Sequence, residues 1–384
     1  MGVDNFQYGH DTVGYFIPES TAFSPEKATA ASAFRATSIT MGQAVGREFP
    51  DDYKGTRSRV ERITGRTPVQ PWSASGILRL SGAAGTAPEI GDILKHAFGT
   101  ETVNASTSVV YTFLKDPSAL TATIYAKRSD MHEGVYGAIV QSLRLTWSGD
   151  GFIRWEASGI AKDYFETGNS QADGAGSSAT ALVVDDADFF AVGSLIQIGG
   201  DDNSGAGFQV TAIDHGTETL TIDTAHTWSD NDAVAPFLPT PTYAGSPLFG
   251  TDGSLSLDNG STTVKHIGGS FSINTGLDLF NTEYGDSSAS DVVLSGLREV
   301  SGQLDFFVKK DETYLMGEWR RKVSKDLKVA IGTTAGSIAT IDGNQVQIDP
   351  GQRDSPDTGM QRFSGNVVFL ATSTGENEAS ITLT

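Results

Sequence analysis

The feature that most constrains the fold is a long stretch, from Gly137 to Ser158, in which apolar and polar residues alternate. One parity carries Ile139, Leu143, Leu145 and Trp147, then Ile153, Trp155 and Ala157 after a turn; the other carries Val140, Ser142, Arg144 and Thr146, then Arg154, Glu156 and Ser158. A period of two is typical of strands with one buried face, and the Gly149-Asp150-Gly151 turn suits a hairpin. The sequence therefore predicts a long amphipathic hairpin with one dry face.

The rest of the chain also favours strands. Among 384 residues there are 44 glycines and only 38% hydrophobic residues, a balance that favours many turns between short strands. Further strands are expected at 60–64, 77–80 and 120–127. We predict a mainly β protein with more than one unit, because single domains rarely exceed about 250 residues.

One short helix stands out within SGAAGTAPEIGDILKHAFGT, residues 81–100. Thr86 and Glu89 have the spacing of a capping box, Pro88 suits a first turn, and Gly99 can end the helix. Its apolar stripe comprises Ile90, Ile93, Leu94, Ala97 and Phe98. We expect this helix to cover the dry face of a sheet.

Changes in composition suggest four segments. Residues 1–40 are poorly periodic and predict an N-terminal arm, and 41–167 form a first β unit. Residues 168–241 hold a small-residue linker and a small all-β unit that ends in a proline-rich exit, and 242–384 form a second β unit.

The second β unit echoes the first. Ser75-Gly76-Ile77-Leu78 has a counterpart in Ser301-Gly302-Gln303-Leu304, and residues 128–145 find an echo in 353–370. A second helix candidate covers 311–319, with an apolar stripe of Leu315, Trp319 and Val323. The core of the two units is accordingly predicted to contain Ile90, Leu94, Phe98, Leu143, Leu145, Trp147, Trp155, Leu315 and Trp319.

Charge and cysteine content exclude several classes of function. The formal net charge is −20, which opposes a tight grip on nucleic-acid phosphates, and the absence of cysteine excludes disulfides and thiolate sites. No apolar run reaches the length of a membrane span and no secretory leader is visible, so we expect a protein made in a cytoplasm without membrane contact.

Catalytic patterns are absent from the sequence. The six histidines are scattered, and no nucleophile elbow or phosphate loop is found. His96 suits the end of the helix as a cation beside the dipole, with a structural role favoured over a functional one. Asp185, Asp186 and Asp188, and likewise Asp201 and Asp202, favour turn roles over calcium binding. We predict no enzyme activity, no cofactor and no metal.

The one concentrated basic stretch runs from Lys54 to Arg66 and contains Arg57, Arg59, Arg62 and Arg66. Two interpretations stay open: an exposed loop, or a contact with an acidic patch on a neighbouring copy.

Two runs, WSASGILRLSGAAGTAPEIGDILKHAFGT (72–100) and LTATIYAKRSDMHEGVYGAIVQSLRLTWSGDGFIRWEASGIAKDY (120–164), resemble the major tail tube proteins of long-tailed bacteriophages. The resemblance is good over about residues 40–167, moderate over 245–384 and weak over 1–40. The small unit at 168–241 departs from the simplest members of the family.

The resemblance implies two tail-tube-type sandwich or barrel-forming units in one chain, so that three chains make a pseudo-hexameric ring and rings stack into a hollow tube. It implies a virion structural protein assembled in the host cytoplasm, with itself, tape measure and tail completion proteins as partners and DNA as non-specific passing cargo. Ser142, Arg144, Glu156 and Ser158 are candidates for the channel side of a mainly acidic lining. The arm and the loop from Arg47 to Pro71 are candidates for reaching the adjacent ring.

Other interpretations remain. A tail terminator, a baseplate hub or a capsid decoration protein would have a similar composition. A carbohydrate-binding or glycan-cleaving β protein could use Trp72, Trp147, Trp155, Trp228 and Trp319 as stacking platforms. The alternation around Trp147 and Trp155 favours core positions for these two side chains.

Overall fold

The computed structural model describes residues 12–48, 63–117, 120–128, 131–257, 262–307, 317–318, 320–354, 362–372 and 375–384. It is mainly β, with one α-helix among the described elements, which confirms the predicted fold class. In this part of the chain no helix is long and apolar enough to cross a membrane.

Seven strands precede helix α1, and six follow it before the six-stranded sheet begins. Strands β1 to β7 are Val13–Pro18, Ala33–Phe34, Ser38–Met41, Arg47–Glu48, Ile63–Thr64, Gln70–Ile77 and Arg79–Leu80. Helix α1 is Gly91–Phe98. Strands β8 to β13 are Gly99–Asn104, Ser108–Phe113, Ala122–Arg128, Met131–Ser148, Arg154–Ala161 and Asp163–Thr167.

The remaining strands fall into two groups. Strands β14 to β19 are Ser170–Gln171, Gly176–Val183, Leu195–Ile198, Phe208–Asp214, Thr219–Trp228 and Ala233–Pro236. Strands β20 to β25 are Ser246–Pro247, Gly253–Leu257, Thr262–Val264, His266–Asn274, Leu277–Phe280 and Asp291–Leu294, and β26 to β30 are Glu299–Phe307, Lys325–Ile331, Ala339–Asp354, Arg362–Leu370 and Ser380–Leu383.

Eight antiparallel strands form what we call the central sheet, in the order β3-β6-β12-β11-β23-β26-β29-β28. Its middle joint pairs β11 with β23, so strands from the two ends of the chain lie in one continuous sheet. The predicted hairpin is present as β11 and β12, with Leu145 opposite Trp155.

The N-terminal and C-terminal parts share one strand order. Strands β3-β6-β12-β11 correspond in order and chain direction to β23-β26-β29-β28, and β1, β2, β10 and β13 pair as β21, β22, β27 and β30 do. The registers also match: Gly76 faces Trp155, which faces Leu145, and in the second part Gly302 faces Val367, which faces Ile348.

This correspondence refines the sequence echo. Gly76 and Gly302 occupy the same place, as their surrounding residues suggest, but the counterpart of β11 is β28 and not the strand at 362–370. Residues 362–370 belong to β29, the counterpart of β12. Every amphipathic strand shows the same alternation of apolar and polar residues. The pattern therefore cannot distinguish the two strands of one hairpin from each other.

Helix α1 carries its apolar stripe inward as predicted. Ile90, Leu94 and Phe98 are buried, and Gly99 ends the helix at φ 111°. The capping-box prediction is wrong: Ile90 is the N-cap, and no side chain caps it. Glu89 instead pairs with Arg35, which joins the loop before the helix to the residues before β3.

A β-bulge in β11 corrects the predicted faces of two residues, Ile139 and Val140. The register shifts between Val140 and Ser142, so that Gln141 is an extra residue relative to β12. One extra residue reverses the faces of all that follow. Ile139 therefore packs with Leu277 and Leu279 and not with Leu143, while Val140 joins the main core.

The N-terminal residues differ from the predicted arm. Residues 1–11 lie outside the described ranges, but Val13–Pro18 pair with β10 along their whole length. Tyr15 and Phe16 are both buried, on opposite faces of this strand. Each face therefore has a core of its own, and a strand buried on both sides shows little alternation in its sequence.

The cores form layers. Phe16 belongs to the main core, which the central sheet and α1 cover, whereas Tyr15 packs with Tyr125, Phe165 and Leu195. Leu195 lies in a separate six-stranded sheet, in the order β14-β19-β16-β17-β18-β15, which has its own buried core. This six-stranded sheet thus packs on the side of β1 and β10 that is turned away from the central sheet.

Candidate assembly face and open sheet edges

One side of the central sheet is polar, and we call it the polar face. The four residues proposed for a channel side lie on it in direct register: Ser142 faces Ser158, and Arg144 faces Glu156. Arg144 and Glu156 are exposed, and the two serines are half-buried. The structure therefore brings the four residues together on one surface.

The polar face continues across all eight strands in register. From Ser38 a row crosses the sheet through Ser75, Glu156, Arg144, Ser272, Ser301 and Val368 to Gln347. Val368 is the apolar member of this row. Four of the eight residues in the row are serines, so small hydrogen-bonding side chains run along this surface.

Charges of both signs lie on this face. Its described carboxylates are Glu156, Glu299, Asp305 and Asp349, and its described guanidinium groups are Arg144, Arg154 and Arg362. Counted on these residues, the polar face is weakly acidic, less so than expected from the net charge of −20. Such a surface offers phosphates no continuous basic groove.

The opposite side of the central sheet is apolar. Leu143, Leu145, Trp147 and Trp155 are buried there as predicted from their parity. Phe98 of α1 stacks on Phe113 with ring centroids 4.7 Å apart and lies parallel to Phe271, at 6.3 Å. The helix thus covers the central sheet across the joint between β11 and β23.

Each end of the central sheet has an open edge. Among the described strands, β3 pairs with β6 on one side and with no strand on the other, and beyond Gln347 the same holds for β28, whose partner there is β29. An open edge exposes a row of N–H and C=O groups that can pair with another chain. These two edges are what a second copy would meet.

Basic residues stand at both open edges. The Arg128 side chain donates a hydrogen bond to the Ile39 carbonyl oxygen of β3, at 3.2 Å. Lys325, the first residue of β27, pairs with Val346 and so limits the open part of β28 to the residues that follow. Charged residues at a sheet edge are a common protection against uncontrolled pairing.

The basic stretch is described only at its end. Arg57, Arg59 and Arg62 lie outside the described residues, as do the predicted core residues Leu315 and Trp319. Arg66 is half-buried and donates to the Glu283 carbonyl oxygen, and Thr67 donates its backbone N–H to Ser287, at 2.8 Å. The segment before β6 is thereby fixed to the loop between β24 and β25.

His96 does not act as a cation at the helix end, which corrects that expectation. It is fully buried, and burial lowers its pKa to about 4, so the ring is neutral near pH 7. The aspartates weighed as calcium ligands accept hydrogen bonds from nearby backbone amides: Asp186 from Asp188, at 2.9 Å, and Asp201 from Asn203, at 2.8 Å.

The described tryptophans offer no stacking platform. Trp72, Trp147, Trp155 and Trp228 are all buried, and Trp319 lies outside the described ranges. No group of three or more metal-ligating side chains occurs in the described parts of the chain. The polar face and the two open edges are therefore the surfaces on which a function can be argued.

Comparison with known proteins supports the class of phage tail structural proteins, which suggests a structural role and not catalysis. Residues 205–367 match the family model described as "Phage tail tube protein", and the predicted resemblance to tail tube proteins is confirmed on them. The match runs from the six-stranded sheet to β29. Residues 40–167, for which the sequence predicts a good resemblance to tail tube proteins, lie outside it. No curated protein matches the chain.

Reasoning from the sequence missed the residues at the open edges. Thr37, Ile39 and Ile348 carry no unusual chemistry, and a single sequence does not show which strand ends a sheet. The one available signal was the shortness of Ser38–Met41, since short edge strands are common.

Proposed function

We propose that the chain is a subunit of a phage tail tube, in which three copies close a ring and rings stack into a conduit for DNA. The observation that carries this proposal is the eight-stranded central sheet with its polar face and an open edge at each end. Cyclic assembly removes such edges, because each copy supplies the strand that the next one lacks.

We further propose two tube units: the second covers 242–384, and the first extends from the predicted 41–167 back to Val13, because β1, β2 and β3 belong to its strand order. The shared strand order and matching registers of the two parts support this duplication, and three chains would then give six equivalent four-stranded sheets.

Geometry supports a ring of three chains. Eight strands from each of three chains make 24, and a barrel of that many strands, spaced by about 4.8 Å and tilted by about 40°, has a backbone radius of about 24 Å. Side chains projecting inward by about 5 Å leave a channel about 38 Å wide. This is wide enough for a DNA duplex.

The polar face lines this channel in our proposal. Hydroxyl groups and charges of mixed sign keep the wall hydrated without binding phosphates, because tight nucleic-acid binding requires cationic side chains that release counterions. DNA then passes as cargo without being held. The apolar side of each sheet stays covered by α1 and the outer strands.

The segment 168–241 would form an outer decoration. The six-stranded sheet packs on the side away from the polar face, through Tyr125, which donates to the Gly193 carbonyl at 3.1 Å, and through the Lys27–Asp223 ion pair at 2.6 Å. The loop from Arg47 to Pro71 would contact the adjacent ring. Tape measure and tail completion proteins would be the other partners in the virion, with assembly in the host cytoplasm.

Native mass spectrometry and electron microscopy of the purified chain test this function. We expect a species of three 40.5 kDa chains in dilute solution and stacked hollow cylinders at higher concentration. Single rings that never stack would favour a terminator or hub. A protein that stays monomeric at every concentration would contradict the proposal.

A further inference from the structure

We propose that neighbouring copies join β28 of one chain to β3 of the next in the register that the chain already uses between β11 and β23. This inference rests on the proposed ring and specifies its joint residue by residue. The joint between β11 and β23 serves as the template for the joint between copies, because β11 corresponds to β28 and β23 corresponds to β3 in the shared strand order.

The template is read from the registers of the two parts. In the internal joint, Arg144 faces Ser272 and Leu145 faces Phe271. The position of Arg144 in the first part is that of Gln347 in the second, since Glu156 and Val368 are their respective partners. The position of Ser272 is that of Ser38, since Ser301 and Ser75 are their respective partners.

The transferred register places Gln347 of one copy opposite Ser38 of the next. Val346 then lies opposite Ile39. The pairing ends at Ser38, because the Thr37 N–H already donates to the Ser75 carbonyl oxygen of β6, at 2.7 Å. Ser38 and Gln347 continue the polar face across the joint, while Ile39, Val346 and Ile348 are buried in the main core of their own chains. The polar and apolar sides of the sheet therefore both continue from copy to copy.

Hydrogen-bond directions agree with this register. Backbone groups of an antiparallel strand point to alternate sides, residue by residue. The Gly42 N–H donates to Pro71, at 2.7 Å, so Gly42, Thr40 and Ser38 point to β6 and Ile39 points to the open edge. In the internal joint the Thr275 N–H donates to Gln141, at 2.9 Å, which likewise turns Ile273, the counterpart of Ile39, toward β11.

The basic residues at the edges occupy places that a neighbour would take. Arg128 donates to the Ile39 carbonyl, and Lys325 stands opposite Val346. Joining the copies replaces Lys325 by Ile39 of the neighbour, whereas the Ile39 oxygen can keep Arg128 on its second lone pair. A free chain thus carries a basic residue at each open edge, and joining the copies displaces only Lys325.

Cysteine pairs test the register directly, because the chain contains no cysteine of its own. The double variant S38C/Q347C places the two thiols opposite each other across the proposed joint. The shifted variant T40C/Q347C offsets them by two residues, which separates the Cβ atoms by about 7 to 8 Å, too far for a disulfide. The internal pair R144C/S272C is the matched control, since it sits at the equivalent place within one chain.

After oxidation, denaturing gels without reductant should show covalent species of two and three chains for S38C/Q347C. We expect about tenfold less of these species for T40C/Q347C, because its geometry excludes the bond. R144C/S272C should give an internal disulfide that leaves the chain monomeric on the gel at any protein concentration. Electron microscopy of each variant before oxidation shows whether it assembles.

The outcomes separate the register from the function. Rings or cylinders that cross-link through the shifted pair, or through neither pair, overturn the register and leave the tube standing. Cross-linking of S38C/Q347C without cylinders supports the register and removes the tube. Failure of the correctly folded chain to associate at all overturns both.

Discussion

At the scale of single residues, the contact between β11 and β12 depends on a glycine. A Cβ on Gly159 would lie 1.9 Å from the Ile139 carbonyl oxygen, to which the Trp72 indole N–H also donates, at 3.1 Å. This crowding occurs beside the bulge at Gln141, where the two strands change register.

Gly159→Ala should therefore lower the free energy of unfolding by about 3 kcal/mol, the upper part of the range for overpacked sites. Denaturant unfolding followed by circular dichroism measures this change. Ser158→Ala is the control, because Ser158 lies one residue away and is half-buried on the polar face. It should change stability by less than about 0.5 kcal/mol. Equal effects for the two variants would contradict the role given to Gly159.

His132 should make stability depend on pH. It is 3% exposed, and burial together with the charge of Lys127 lowers its pKa to about 3. Below its unfolded pKa of about 6.5, the unfolded chain binds a proton that the folded chain does not, so stability falls as pH drops from about 6.5 toward 3. This group alone removes about 2 kcal/mol between pH 7 and pH 5.

His132→Gln should therefore reduce the loss of stability between pH 7 and pH 5 by about 2 kcal/mol. Denaturant unfolding at the two pH values measures the difference. The wild-type chain, measured at the same two pH values, is the reference. An unchanged pH dependence in His132→Gln would show that the ring binds protons equally in the folded and unfolded chain, which would contradict the lowered pKa.

At the scale of elements, helix α1 works as a cover for the central sheet. Phe98 is 1% exposed and contacts rings from both parts of the chain, Phe113 of β9 and Phe271 of β23. Strand β9 of the β8–β9 hairpin that follows the helix pairs with β30. This hairpin therefore connects the N-terminal part to the C-terminal part.

Phe98→Ala should lower the free energy of unfolding by about 4 kcal/mol, because it leaves a cavity between these rings. Lys95→Ala, on the half-buried side of the same helix, should cost a few tenths of a kcal/mol at most. Calorimetry of both variants tests this. A small effect of Phe98→Ala would mean that the helix is peripheral to the core.

At the scale of elements, the sequence predicted some structural features correctly and missed others. The alternation from Leu143 to Trp147 gave the correct buried face, because a period of two is a local signal. The same rule failed for Ile139, since a bulge depends on the partner strand and leaves no local trace. The start of α1 was missed because Glu89 pairs with Arg35, a residue distant in sequence, and does not cap the helix.

At the candidate site, the sequence grouped Ser142, Arg144, Glu156 and Ser158 correctly but could not order the strands around them. The joint between β11 and β23 links residues more than a hundred positions apart. Which strands end the sheet follows from this long-range order, so the open edges became visible only in the folded chain.

At the scale of the whole molecule, the two parts share one hydrophobic core, while the six-stranded sheet has its own. The shared core packs against both halves of the central sheet, so its eight strands form one continuous unit. Among the described strands, each end of this sheet lacks a partner strand, and in our proposal a second copy supplies it. We therefore expect copies of the chain to close into a ring whose inner surface is the polar face.

An electron cryomicroscopy reconstruction of the assembled cylinder tests this claim most directly. We predict a ring of three chains in which Arg144, Glu156 and Ser272 face the axis. In this ring, β28 of each copy lies beside β3 of the next. A reconstruction in which the polar face points outward, or in which the copies meet through the six-stranded sheets, would contradict it.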